Sequence, residues 1–215
     1  MVDWRWLTTV IIGLMLMKMA QSVIVIDTGD KLLSWMLMQQ VWLIYGSLQA
    51  VRQIRIWRWD IRDIGRGVLV GTGLFATTTL INLVIVTGLS SIFSESQVQQ
   101  WFMQERLGID MLLGIENAAK FWLAAAAITI GASVSEELFF RGALLTALRH
   151  SMPAKWAIII GALSFALVHF YLIQFIPVLL AGIVLGLLFV KSNNLMSSIT
   201  AHLTVNALAF LVHIL

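Results

Sequence analysis

Two adjacent glutamates interrupt an apolar run, Ser135-Glu136-Glu137-Leu138-Phe139-Phe140-Arg141-Gly142. A carboxylate at the centre of a membrane helix costs about 2.5–3.5 kcal/mol on insertion scales. Two of them with an arginine close by need partners, water or a chemical task. Residues four apart share a helix face, so Glu137 is placed to pair with Arg141. Glu136 is then turned about 100° away and left for other work. Two later apolar segments repeat the spacing. Phe165 and His169 share a face in one, and His202 and Asn206 in the other.

The residue types suggest a chemistry. A glutamate in apolar surroundings suits a general base. A histidine beside it shares the proton or orients a water. A second histidine with an asparagine can donate hydrogen bonds to negative charge developing on a carbonyl oxygen. Together, Glu136, His169, His202 and Asn206 read as a water-activating peptidase site without a covalent nucleophile. Ser135 is adjacent, but the spacing places no base beside it. The chain has no cysteine, which excludes thiol chemistry and cysteine metal sites. It also lacks the His-Glu-x-x-His pair of the common zinc peptidases. Glu136, His169 and His202 would be the ligands if zinc were held, although the reading leans towards no tightly bound metal. Each feature also has a plainer reading. Glu137 and Arg141 suit a structural ion pair, and either histidine alone would be a packing residue. Joint placement with Glu136 is what favours catalysis. His150 and His213 fit no motif and are expected at the surface or in packing.

The elements that carry these residues must lie in lipid. The chain has 215 residues, 60% hydrophobic and 12% charged, with mean hydropathy +0.91. Soluble domains carry about 25% charged residues. Apolar segments of spanning length fall near 6–26, 32–51, 67–92, 118–149, 155–172, 175–190 and 195–215. The first two are weakened by Lys18, Gln21, Gln39 and Gln40. The segment 118–149 would be about 48 Å long, so it is expected to tilt, break near Gly131 or extend past the membrane. The pairs Gly67/Gly71 and Gly182/Gly186 have the spacing for close helix packing. Met15, Met17, Met19, Met36 and Met38 suit lipid-facing or gap-filling positions.

Charge sets an orientation. The loop 52–66 holds Arg52, Arg55, Arg58, Arg62 and Arg66 against Asp60 and Asp63, with Trp57 and Trp59 between them. Its bias towards arginine assigns it to the cytoplasm. Asp27, Asp30 and the acidic loop 93–117 then fall outside, and Arg149, Lys155 and Lys191 inside. The signs agree with seven spans, N-terminus in and C-terminus out. The N-terminus reads as a retained first helix, not a cleaved signal. The modest net charge of +3 belongs to loops flanking the spans and argues against nucleic-acid binding. Glu136 lies 13 residues before Arg149, about 20 Å, and His169 lies 14 residues after Lys155, about 21 Å. They fall at similar depth. His202 and Asn206 are expected somewhat nearer the cytoplasm.

Three motifs in order carry a resemblance. Glu136-Glu137-Leu-Phe-Phe-Arg141, Phe165-Ala-Leu-Val-His169 and His202-Leu-Thr-Val-Asn206 resemble the CPBP family of intramembrane proteases. That family includes the type II CAAX prenyl endopeptidases and the Abi bacteriocin-processing proteins. The stretches around Gly182/Gly186 and 194–199 are similar to its intervening elements. The resemblance covers about 118–208. It implies that Glu136 activates water with help from His169, that His202 and Asn206 stabilise the oxyanion, that Glu137 and Arg141 support the site, and that Phe165 lines it. The family has been described both as metal-dependent and as metal-free.

The expected architecture is an all-α polytopic bundle of about seven to eight membrane helices around a central polar cavity. Residues 1–117 form membrane helices without a recognised motif, and 118–215 form the catalytic core. The expected function is an intramembrane endopeptidase acting on a membrane-associated or prenylated peptide, in a multi-pass protein of a bacterial cell membrane. A non-proteolytic scaffold and a small proton-coupled transporter are the alternatives. The first half shows no inverted repeat of the second to favour transport.

Overall fold

The computed structural model of the chain describes residues 2–215. Among them are eight helices and no strand. These are α1 (Trp4–Val23), α2 (Gly29–Val51), α3 (Ile61–Ser90), α4 (Glu95–Leu113), α5 (Ala118–Ser151), α6 (Ala154–Leu167), α7 (Phe175–Ser192) and α8 (Leu195–Ile214). Local signals set most of the boundaries. Asp3, Thr28, Asp60, Ser94, Asn117 and Asn194 each accept a backbone N–H of the helix that follows, satisfying donors a helix start leaves unpaired. Asn193 closes α7 in the left-handed conformation, φ 49°, which asparagine tolerates.

Four helices are long and apolar enough to cross a membrane: α3, α5, α7 and α8. The helix α6 is apolar but has only 14 residues, about 21 Å. The weaker segments α1 and α2 lie outside that set, yet they pack into the same core. Leu7 and Val10 of α1 and Leu43 of α2 share one buried cluster with Leu138, Phe139, Phe140 and Phe165. Large apolar side chains such as Met15, Met19, Leu69, Leu83 and Trp122 cover the outside. That surface suits lipid rather than water, and the chain is an integral membrane protein.

Three sequence expectations change. The segment 93–117 is not an open loop: Ser94 and Gln97 form a reciprocal capping box and start α4. It was too polar to read as a span, but Val98 and Leu112 turn inward and are buried. The end of α3 and the start of α5 lie on the same side of the bundle, so α4 covers that end without crossing. The predicted span 155–172 stops at Leu167, and His169 stands in the turn beyond it. The arginine loop is shorter than expected, because α3 begins at Ile61 and carries Arg62 and Arg66.

The connections sort into two ends. At one, Asp3 N donates to Ala50 O at 2.8 Å and Leu195 N to Ile56 O at 2.8 Å. Asn194 Nδ2 donates to the buried Asp63 Oδ2 at 2.8 Å, while Arg58 N donates to Asn194 Oδ1 at 3.0 Å. At the other, Lys120 pairs with Asp30 at 2.5 Å and Arg106 meets His213. Between the ends, α3 and α8 nearly touch. A Cβ on Gly71 would lie 2.4 Å from Ala201 O and 2.7 Å from Thr204 Cβ. That contact presses α8 inward and sets the depth of its next residue, His202.

Candidate active site

The glutamate pair is aimed by irregularities in α5. The helix does not break near Gly131. It stays continuous and widens into π-helical turns at Ala127–Gly131 and Leu138–Leu145, on either side of Glu136 and Glu137. Such turns shift the backbone pairing, with Ala132 N–H reaching Ala127 O, and side chains from two other helices add donors to the carbonyls of the first turn. Gln40 Nε2 of α2 donates to Ala127 O at 2.9 Å, and Asn206 Nδ2 of α8 donates to Ile128 O at 3.1 Å. Gly131 makes room for this arrangement, since a Cβ there would lie 2.3 Å from Gln40 Oε1.

Glu137 and Arg141 form a fully buried pair. Arg141 donates to Glu137 Oε1 at 2.5 Å and to Gly182 O of α7 at 3.2 Å. Its guanidinium also lies 4.6 Å from the centre of the Phe165 ring. The Glu137 side chain is 0% exposed and that of Arg141 3%. Buried charge of this kind survives only when paired. His202 Nδ1 donates to the same Oε1 at 2.9 Å, so the carboxylate also orients an imidazole.

Glu136 has a different environment. Its side chain is 22% exposed, and its Oε2 lies 3.9 Å from His169 Nε2 and 3.9 Å from His202 Nε2. Both rings are anchored through the opposite nitrogen. His169 Nδ1 donates to Phe165 O at 2.7 Å; a carbonyl only accepts, so Nδ1 carries the proton and Nε2 presents its lone pair. Phe165 contacts both imidazoles edge-on, with centroids 4.8 Å from His169 and 5.9 Å from His202. The depth difference expected for His202 is therefore absent: it reaches the same carboxylate oxygen as His169.

The structure thus brings Glu136, Glu137, Arg141, Phe165, His169 and His202 together from α5, α6, the turn after α6, and α8. Asn206, expected beside His202, turns its amide nitrogen to α5, donating to Ile128 O at 3.1 Å and lying 3.4 Å from Ser133 Oγ. Ser135 Oγ donates to Ala132 O at 3.2 Å. His150 is exposed. His213 lies at the far end, where its Nε2 is 3.5 Å from Asp110 Oδ1.

Two neighbours of the site were not read as functional from sequence. Lys18 of α1 interacts electrostatically with both Glu136 and His169. It had registered only as a weakness in the first span, although a lone lysine in an apolar helix was itself a signal. The ring of Tyr171 lies 5.6 Å from that of His169, and nothing in the sequence spacing marked it.

Zinc ligands would be Glu136, His169 and His202, with the two Nε2 atoms facing the carboxylate and the Nδ1 atoms fixed behind them. That second tier is what a metal-binding histidine uses. As arranged, however, no three histidine or acidic side chains among the described residues come close enough to hold one ion. The fit is incomplete.

Fold and site together define a helical membrane protein with a glutamate and two imidazoles facing one another among apolar helices. Residues 118–208 match the family model described as type II CAAX prenyl endopeptidase Rce1-like. That segment is under half of the chain, and through it the protein is similar to the CAAX-protease family. No curated protein and no solved structure matches the chain.

Proposed function

We propose that the protein is an intramembrane endopeptidase in which Glu136 activates a water molecule. The observation that carries this reading is the pair of 3.9 Å separations between Glu136 Oε2 and the Nε2 atoms of His169 and His202. Each is too long for a direct hydrogen bond and wide enough for a bridging water.

In the proposed reaction Glu136 takes a proton from the water while the His169 lone pair holds its other hydrogen. The oxygen attacks the peptide carbonyl carbon. Negative charge then develops on the carbonyl oxygen and needs a donor. His202 supplies Nε2–H in the form that carries both ring protons, with Nδ1–H held by the Glu137 carboxylate. The proton on Glu136 passes to the leaving nitrogen as the C–N bond breaks, which regenerates the carboxylate. Asn206 contributes by holding the first π-helical turn; to reach the oxyanion directly it would have to release Ile128 O or Ser133 Oγ. No step requires a metal, and zinc on Glu136, His169 and His202 is the alternative.

The substrate in this reading is a membrane-associated peptide, of which a prenylated CAAX peptide is one candidate. The arginines of 52–60 and the start of α3 support a cytoplasmic placement for their end of the bundle, and for the N-terminus with it.

The test is cleavage of a fluorogenic peptide library, farnesylated CAAX peptides included, by purified protein in nanodiscs. Glu136→Gln and His169→Ala run beside it, with and without chelator. Cleavage that both substitutions abolish supports the peptidase, and chelator sensitivity would bring zinc back. No cleavage, with wild type and both variants equally able to complement a deletion strain, would move the assignment to a scaffold.

A further inference from the structure

His169 stands in the seven-residue connection 168–174 between α6 and α7, not on a regular helix. The next residue, Phe170, has φ 55°. A bulky side chain in the left-handed region is strained and persists only where its surroundings hold it. Its own side chain is 78% exposed and offers little anchorage. Three backbone N–H groups follow at the entrance to α7, where a helix start has no internal partners for its donors.

One carboxylate meets all three. Glu105 of α4 accepts from Leu172 N at 2.5 Å and Ile173 N at 2.7 Å on Oε1, and from Gln174 N at 3.1 Å on Oε2. Ile173, between them, is buried at 2% exposure. The strained turn is therefore fixed on one side by the end of α6 and on the other by Glu105. His169 and Tyr171 ride on it with their rings in contact. The helix α4 lies outside the segment matched to the family.

We propose that Glu105 is a positioning residue for His169. By clasping 172–174 it holds the strained turn in the one conformation that presents His169 Nε2 to Glu136. The inference rests on the peptidase reading for its effect on turnover, but the clasp itself has readouts that do not need activity.

The experiment compares wild type, Glu105→Ala and Glu105→Gln as full-length protein in nanodiscs. It measures amide hydrogen exchange across 168–175, the imidazole resonances of His169 in histidine-labelled protein (assigned with His169→Ala), and kcat and KM on a cleaved peptide. Glu105→Ala should speed exchange at 172–174, shift the His169 resonances and lower kcat at least about tenfold with little change in KM, as expected for a misplaced group. Exchange in α3 and α8 should stay as in wild type. Glu105→Gln keeps an acceptor oxygen and should recover a large part of each effect. Unchanged exchange at 172–174 or unmoved His169 resonances in Glu105→Ala would overturn the proposal. If that variant does not fold, Glu105→Gln decides: faster exchange at 172–174 with His169 unmoved overturns it, and shifts in both sustain it. A wild type that cleaves nothing would end the peptidase reading, while exchange and resonances would still decide the clasp.

Discussion

His202 donates from Nδ1 to the buried carboxylate of Glu137 over 2.9 Å, and that bond turns its other ring nitrogen towards Glu136. Glu137 is therefore more than the partner of Arg141. Two glutamates adjacent in sequence divide the labour: one is enclosed and orients, while the other keeps part of its exposure and faces both imidazoles. The division follows from helix geometry, because neighbouring residues point about 100° apart.

Replacing Glu136 with glutamine should separate chemistry from stability. The nearest ring nitrogens are 3.9 Å away, so the folded state loses no direct bond to them. Peptidase turnover should fall at least about 100-fold, while the melting temperature in nanodiscs stays near that of wild type. A variant that cleaves normally would remove Glu136 from the mechanism.

Glu137→Gln should show the opposite balance. It leaves Arg141 buried at 3% side-chain exposure without its counter-charge and weakens the anchor of His202. Breaking a buried pair costs about 3–5 kcal/mol. Reversible unfolding in mixed micelles should report a loss of that order, and Glu137→Met with Arg141→Met should recover part of it. A double variant no more stable than Glu137→Gln alone would argue against an unpaired charge as the cause.

Gly71→Ala should push α3 and α8 apart, since its Cβ would fall 2.4 Å from Ala201 O, whereas Gly73→Ala meets nothing within 4 Å. Overpacking of this kind costs about 1–3 kcal/mol. The first variant should lose stability, and turnover with it as His202 shifts. The second should match wild type in both. Equal thermal stability of the two would contradict the close approach.

Gln40 and Gly131 should be energetically coupled. Gln40→Ala removes one of two donors to Ala127 O, which keeps the Ala132 N–H, so it should cost about 0.5–1.5 kcal/mol. Gly131→Ala collides with Gln40 Oε1, so it should cost less when residue 40 is already alanine. A double-mutant cycle should give a coupling above about 0.5 kcal/mol. Strict additivity would mean that the two residues do not share the π-helical turn.

Much of the architecture was legible in the residues themselves. Burying an uninterrupted apolar run leaves few options in lipid, because a helix must satisfy its own backbone. Helical content and the late spans followed, as did the pairing of Glu137 with Arg141, since four-residue spacing makes neighbours on any helix. Elements with weaker apolar signals were harder. The amphipathic α4 looked like a loop because most of its surface is polar, and α6 looked too long because apolar character continues past Leu167 into the turn.

Chain order and spacing also singled out Glu136, His169 and His202 as a set. Their geometry was beyond the sequence. The first π-helical turn is met by Gln40 and Asn206, which arrive from other helices to donate to its carbonyls. The depth of His202 depends on Gly71 admitting α8. The setting of His169 depends on a carboxylate 64 positions earlier in the chain. Composition and periodicity therefore determined a helical membrane protein with its ionisable residues facing inward, because those constraints act within a single segment. Only the tertiary structure decided which nitrogen faces which oxygen, because that is set by contacts between segments that no local pattern encodes.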